Sequence, residues 1–174
     1  EVAFTIRANT FTVQFPSSAG FINFQTGTVA GTLSFSATLQ AGTFQNTFST
    51  SRVLPRQAPA ILSVQREGSS RSAFAVAIRL FSNPREVTQL ILRFDTSAGT
   101  KAGCGTVSGC SASGNTLTLD VRSLFDAWFT TNPASGSATT LRVPLSAEGT
   151  VQGSVTVSLR NGVGTSNTGS FVLP

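Results

Sequence analysis

Residues 74–81 read FAVAIRLF and residues 87–94 read VTQLILRF, separated by the short SNPRE segment. In the first run Phe74, Val76, Ile78 and Leu80 alternate with Ala75, Ala77 and Arg79. A period of two puts one apolar row on one face of a β-strand, whereas a helix would return its apolar row every three or four residues. The Asn83-Pro84 dipeptide then marks a turn before the next strand.

The same signal extends in both directions. Ile61 to Gln65, then Leu117, Leu119 and Val121, then Leu141, Val143 and Leu145, then Val151 to Leu159, and finally Ser170 to Leu173 all read as strands. The EGSS segment at 67–70 and Asn161-Gly162 punctuate them, the latter being the strongest hairpin signal in the chain. One stretch breaks the period: in SLFDAWF, 123–129, Leu124, Phe125, Trp128 and Phe129 fall at helical spacing. Ser123 is placed to cap a short helix, and Asp126 to favour its dipole from the first turn. About seven strands with one short helix is the pattern of an immunoglobulin-like antiparallel β-sandwich.

Upstream, Pro55 and Pro59 in SRVLPRQAPA read as a connector, so the boundary falls near residue 56. Residues 56–174 form the sandwich, and residues 1–55 a small N-terminal β module. In that module Val2, Phe4 and Ile6 alternate with polar or small residues, as do Phe11, Val13 and Phe15. Val29 to Leu39 continues the alternation, and Phe44 and Phe48 extend one more strand after Ala41-Gly42. Four or five strands barely make two sheets, so the module is expected to be open, with an apolar groove and unpaired edges that the second part, an upstream segment of a longer chain or a strand from another copy covers.

Composition supports an all-β chain. It has 174 residues, of which 40% are hydrophobic, 14 are Phe and only 11% are charged. Ser and Thr together exceed a quarter of the chain, so neutral hydroxyls solvate the exposed strand faces. There is no His, Tyr or Met, which removes imidazole and phenol chemistry at once. A Ser–Lys pair would have Lys101 as its only lysine, beside a glycine-rich loop. The acids Glu1, Glu67, Glu86, Asp95, Asp120, Asp126 and Glu148 are scattered rather than paired for glycoside hydrolysis or gathered for calcium. Glycine clusters such as NGVGTSNTG lack the ending of a phosphate loop. Trp128 with Phe125 and Phe129 reads as helix packing before it reads as a sugar platform. No enzyme activity, cofactor or metal is expected.

The net charge of +5 comes from arginines spread singly along the chain, so they are expected to solvate strand faces and blunt edges without forming a nucleic-acid patch. Cys104 and Cys110 lie in KAGCGTVSGC, a loop flexible enough to close as a disulfide and too poor in ligands for zinc. A disulfide implies an oxidising compartment, and a chain opening at Glu1 fits a mature form after signal-peptide removal. No apolar run reaches the roughly 20 residues of a membrane span, so membrane insertion is not expected.

Several segments carry a family likeness. NFQTGTVAGTLSFSATLQAG at 23–42, RQAPAILSVQ at 56–65, NPREVTQLILRFDTSAG at 83–99, TLDVRSLFDAWFTT at 118–131 and VTVSLRNGVGTS at 155–166 together cover most of the chain. They resemble the immunoglobulin-like tail modules of large secreted proteins of soil bacteria, notably Acidobacteria. The chain has Trp128-Phe129 where such modules often have Trp-Tyr, and many of them lack a cysteine pair. The resemblance implies β-sandwich modules, export and a role at or beyond the cell surface, with no catalytic residues.

These readings converge on a secreted structural subunit that polymerises by donating an N-terminal strand to a neighbouring copy. The apolar residues of that strand are Val2, Phe4 and Ile6, or Phe11, Val13 and Phe15. Strand donation supplies main-chain hydrogen bonds and alternate side-chain plugs together. The partners expected are copies of the chain itself, with anionic polysaccharide or another surface protein as further ones. The competing reading is an adhesion module that binds glycan or protein as part of a larger secreted protein.

Overall fold

A computed structural model of the chain describes residues 1–16, 20–68, 73–95, 101–103, 107–148 and 153–173. The chain is mostly β, with several antiparallel sheets and one short helix. Strands β1 (Thr5–Ile6) and β2 (Val13–Gln14) form one hairpin, and β3 (Gly31–Ala41) and β4 (Phe44–Leu54) another. Beyond them follow β5 (Ala60–Glu67), β6 (Ala73–Phe81), β7 (Gln89–Asp95), β8 (Lys101–Gly103), β9 (Cys110–Ser113) and β10 (Thr116–Asp120). Helix α1 (Arg122–Thr131) leads into β11 (Ala138–Glu148), β12 (Gly153–Arg160) and β13 (Gly169–Leu173). One sheet runs β13-β12-β7-β10-β9 and a second β5-β6-β11-β8.

Both larger sheets contribute to one core. Val76, Ile78 and Leu80 of β6 and Leu141, Val143 and Leu145 of β11 face Leu90, Leu92 and Phe94 of β7 and Val155, Val157 and Leu159 of β12, all buried. The alternation in FAVAIRLF therefore does what period two requires, with Arg79 exposed between buried Ile78 and Leu80. The sheets close tightly at one side. A Cβ added at Gly169 would lie 2.4 Å from Val64 Cγ2, so β13 approaches β5 more closely than any side chain at that position allows.

Three details differ from the sequence reading. The part beyond residue 56 holds nine described strands, not about seven, because β8 and β9 flank the cysteine loop and pair through backbone with β11 and β10 without any apolar alternation to announce them. Ser123 does not cap the helix. Val121 occupies the N-cap, the Asp120 carboxylate accepts the Arg122 N–H at 3.0 Å, and Asp126 lies past the first turn. Asn161-Gly162 opens a longer connection than a two-residue turn: Arg160 bridges to Thr165, while the buried Asn161 side chain accepts the N–H groups of Val163 and Gly164 and donates to Gln57 O.

The described residues of the first 54 form two two-stranded sheets. Each hairpin pairs only within itself, so where a small open module was expected there are two separate hairpins with no sheet opposite them. The alternation in this region is real, but a second layer to bury it is missing from the described residues.

Candidate assembly surface

The β3–β4 hairpin is a ribbon of 11 residues per strand, about 37 Å long at roughly 3.4 Å per residue. Gly42, with φ at 58°, makes the tight reversal between Ala41 and Phe44, where a primed two-residue turn needs a positive φ. Both feet of the ribbon are tied to the sandwich at one place. The Ala30 N–H donates to Asn83 O at 2.8 Å, and Ser137 Oγ donates to Thr28 O at 2.8 Å. On the returning side Asn83 Nδ2 donates to Pro55 O at 2.8 Å, and the Gln57 N–H donates to Asn83 Oδ1 at 2.8 Å. An Arg56–Glu86 ion pair adds to this foot. Asn83 and Ser137 are buried polar residues whose presence is explained by these bonds.

The ribbon has two unlike faces. Ser34 opposite Ser51, Ser36 opposite Ser49, Thr38 opposite Thr47 and Gln40 opposite Gln45 make one face neutral and polar, with the Thr38 and Thr47 hydroxyls 3.1 Å apart. The other face carries Leu33, Phe35, Leu39, Phe44 and Phe48. Phe24 packs edge-on against Phe35 at 5.2 Å and leaves it 37% exposed, whereas Phe44 and Phe48 are each 58% exposed.

The ribbon edges carry little of the usual protection, Arg52 near the foot of β4 being the one charge in either strand. No charged residue lies between Arg7 and Arg52, no proline lies within either strand, and the register runs unbroken from Gly31–Leu54 to Ala41–Phe44. The sandwich edges are defended in familiar ways. β5 carries a bulge between Ile61 and Ser63, Arg66 and Glu67 near its end, and the Asn167 amide, which accepts the Ile61 N–H at 2.8 Å and donates to Ile61 O at 3.0 Å. β13, β9 and β8 have five, four and three residues.

The six apolar residues read as an assembly strand lie in and beside the first hairpin. Thr5 pairs with Gln14 and Ile6 with Val13, so the two candidate donor segments pair with each other. Phe4 and Phe15 meet edge-on at 6.2 Å and, with Val13, are half-buried, while Val2, Ile6 and Phe11 are exposed. Cys110 is disulfide-bonded and Cys104 lies outside the described residues.

Two further depressions lie at α1. One of about 200 Å³ is lined by Leu124, Trp128 and Arg142 together with Thr139 and Thr140 of β11. Buried Phe125 also lines it, and half-buried Trp128 stands edge-on to buried Phe129 at 4.8 Å, so the aromatic group packs the helix while Trp128 remains part of the depression wall. The second brings Asp120, Ser123 and Asp126 to one rim with Arg122, as their spacing of three residues at the start of α1 allows. Among the described residues no three of His, Cys, Asp and Glu gather as metal ligands, and no helix is long and apolar enough to cross a membrane.

Two arginines expected to solvate strand faces instead hold the structure together. Arg85, in the left-handed region with φ at 55°, donates to Gly136 O and Pro133 O and lies over the Phe129 ring at 5.4 Å. Arg66 lies over Phe74 at 5.3 Å. The sequence reading also missed Asn83, Ser137 and Asn167, which looked like ordinary turn polars. The ribbon strands were legible from the alternation at Val29–Leu39 and from Phe44 and Phe48 after Ala41-Gly42, and the uncharged stretch from residue 8 to residue 51 was the further signal for their open edges. Compared with protein-family models, with curated proteins and with solved structures, the chain matches none.

Proposed function

We propose that this chain is a non-enzymatic structural subunit of an extracellular filament, with the sandwich as its spacer and the first 54 residues as its means of joining neighbouring copies through a donated N-terminal strand. A single observation carries this reading. Among the described residues, none of the 22 side chains of the core comes from residues 1–54, yet 11 of the 15 exposed large apolar side chains do. A segment with no fully buried side chain among its described residues, presenting Val2, Ile6, Phe11, Phe44 and Phe48 to solvent, is matched to burial against another molecule. The donated strand is Val2–Arg7, held at home by only two residue pairs. Its contact is heterologous, and such a contact propagates into a fibre rather than closing.

The spacer is an immunoglobulin-like sandwich in this proposal. The orders β5-β6-β11 and β13-β12-β7 follow the A-B-E and G-F-C arrangement of that fold, while β10 and β9 extend the second sheet in the reverse chain order of C′ and C″. Secretion accords with the disulfide at Cys110. The test is electron microscopy and light scattering on the full chain beside a variant lacking residues 1–8. Regular fibres from the full chain, and none from the variant, support strand donation; unchanged fibres from the variant overturn it.

A second reading has one observation in its favour. The Leu124–Trp128–Arg142 depression suits a small planar or sugar ligand, as an adhesion module would need. Because Trp128 is the sole tryptophan, its emission reports that depression alone, and a saturable shift on titration with polysaccharide fragments would favour the module.

A further inference from the structure

We infer that the outer edge of β4 is a dimerisation edge, on which the β4 strand of a second copy pairs antiparallel about a two-fold axis to make a four-stranded sheet. The inference rests on the reading that residues 1–54 join copies together, and it adds a contact distinct from the donated strand.

The length of the edge selects the occupant. β4 offers 11 residues without a bulge, proline or break in register. Among the described strands of this chain the other open edges run to at most eight residues: β5 is bulged and plugged by Asn167, and the part of β11 that β8 leaves open, Ala138–Leu145, carries Arg142 and Pro144 and shares a depression with α1; only β3 and β4 of another ribbon match the length of β4. A two-stranded ribbon is marginal in water by itself, and three or more strands with a shared apolar face are needed for independent stability. Joining two ribbons side by side supplies four.

Charge permits the pairing. With a net charge of +5, two copies repel each other across most surfaces, yet β4 carries no charge before Arg52. In an antiparallel pairing about the strand centre, each Arg52 lies near the turn end of the other strand and away from its own mate. The choice of β4 over β3 follows from Phe24, which covers the apolar face on the β3 side at Phe35 and leaves Phe44 and Phe48 on the β4 side open. Pairing about the strand centre sets Phe48 of one copy diagonal to Phe48 of the other on one sheet face, within reach for an aromatic pair, and sets each Phe44 opposite Leu54. A two-fold contact closes on itself, so it makes dimers, and a polymer of dimers requires the donated strand as well.

Two-fold antiparallel pairing has a signature that other associations lack. One position near the strand centre faces its own copy, and moving one residue along β4 separates a residue from its mate by about 7 Å, twice the rise per residue. Cysteine is therefore placed singly at Asn46, Thr47, Phe48, Ser49, Thr50 and Ser51 of the full chain, and cross-linked dimers are read after mild oxidation. The expected result is one maximum between positions 47 and 51 that falls at least tenfold within two residues, since a disulfide tolerates Cβ separations of only about 3.5–4.5 Å. As a second measurement free of cysteine, Ser49→Lys sets like charges across the axis and is expected to weaken association at least tenfold by analytical ultracentrifugation. A flat or empty cross-linking profile while the chain still associates would overturn the inference, as would an unchanged association constant for Ser49→Lys. Fibres with a flat profile leave the filament reading standing without this edge. Discrete dimers with a sharp profile and no fibres support the edge and overturn the filament.

Discussion

Removing residues 1–54, so that the chain begins at Pro55, is predicted to leave a sandwich that still unfolds as one cooperative unit. Among the described residues all 22 core side chains lie at Ile61 or beyond, so the deletion removes none of them and leaves the buried leucines of β7 and β12 enclosed. What the sandwich loses is the pair of bonds that tie the outgoing foot of the ribbon, from Ala30 to Asn83 O and from Ser137 Oγ to Thr28 O. Each is worth about 1 kcal/mol net, so the cost is about 2 kcal/mol, with solvent replacing part of it at the rim. A domain of this size has about 5–15 kcal/mol in hand and survives such a loss. Urea unfolding followed by the fluorescence of Trp128 measures it, and the midpoint should fall by about 1 M or less for a urea slope of about 2 kcal/mol/M. Sharp, dispersed amide resonances would accompany that curve. A molten fragment, or a loss above about 5 kcal/mol, would falsify the claim that the first 54 residues lie outside the core. The shortened chain should also be monodisperse, since it lacks both the donor strand and the ribbon.

Further predictions address single residues. Asn83→Ala removes both side-chain bonds at the returning foot, and is expected to cost about 2 kcal/mol in urea unfolding and to hasten proteolysis within 31–54, the exposed ribbon being first to yield. Gly169→Ala forces a methyl against Val64 and Ile61 where β13 crosses β5, and should destabilise by about 1–3 kcal/mol; a neutral result would mean that the sheets part freely there. Leu92→Ala, at a fully buried site in the middle of β7, should lower stability by about 2–5 kcal/mol without altering the size of any assembly. Asn167→Ala frees the Ile61 N–H and C=O, and should raise aggregation of the shortened chain at high concentration, seen by light scattering.

Much of the sandwich was legible because its strands alternate cleanly. FAVAIRLF and VTQLILRF each carry enough period-two signal to place β6 and β7 and to predict which side chains enter the core. The short strands β8 and β9 were not legible, because a ladder of backbone hydrogen bonds leaves no mark on side-chain chemistry. Helix α1 was found by spacing, yet its start was misassigned, since Ser123 is an able cap by residue type while the backbone puts apolar Val121 at the N-cap and leaves the Asp120 carboxylate to accept the Arg122 N–H.

For the candidate surface, the sequence by itself determined an apolar, uncharged N-terminal third with strand periodicity and with no catalytic imidazole anywhere. Alternation reports that one face of a strand is apolar, and local chemistry is sufficient for that. It does not report whether a second layer covers that face. Only the tertiary structure decided that Leu90 and Leu92 are enclosed while Phe44 and Phe48 stand open, because burial depends on what lies across the sheet, and that neighbour is distant in the chain. The same holds for Asn83 and Asn167, whose amides become clamps only when Pro55 and Ile61 are brought to them across 28 and 106 residues.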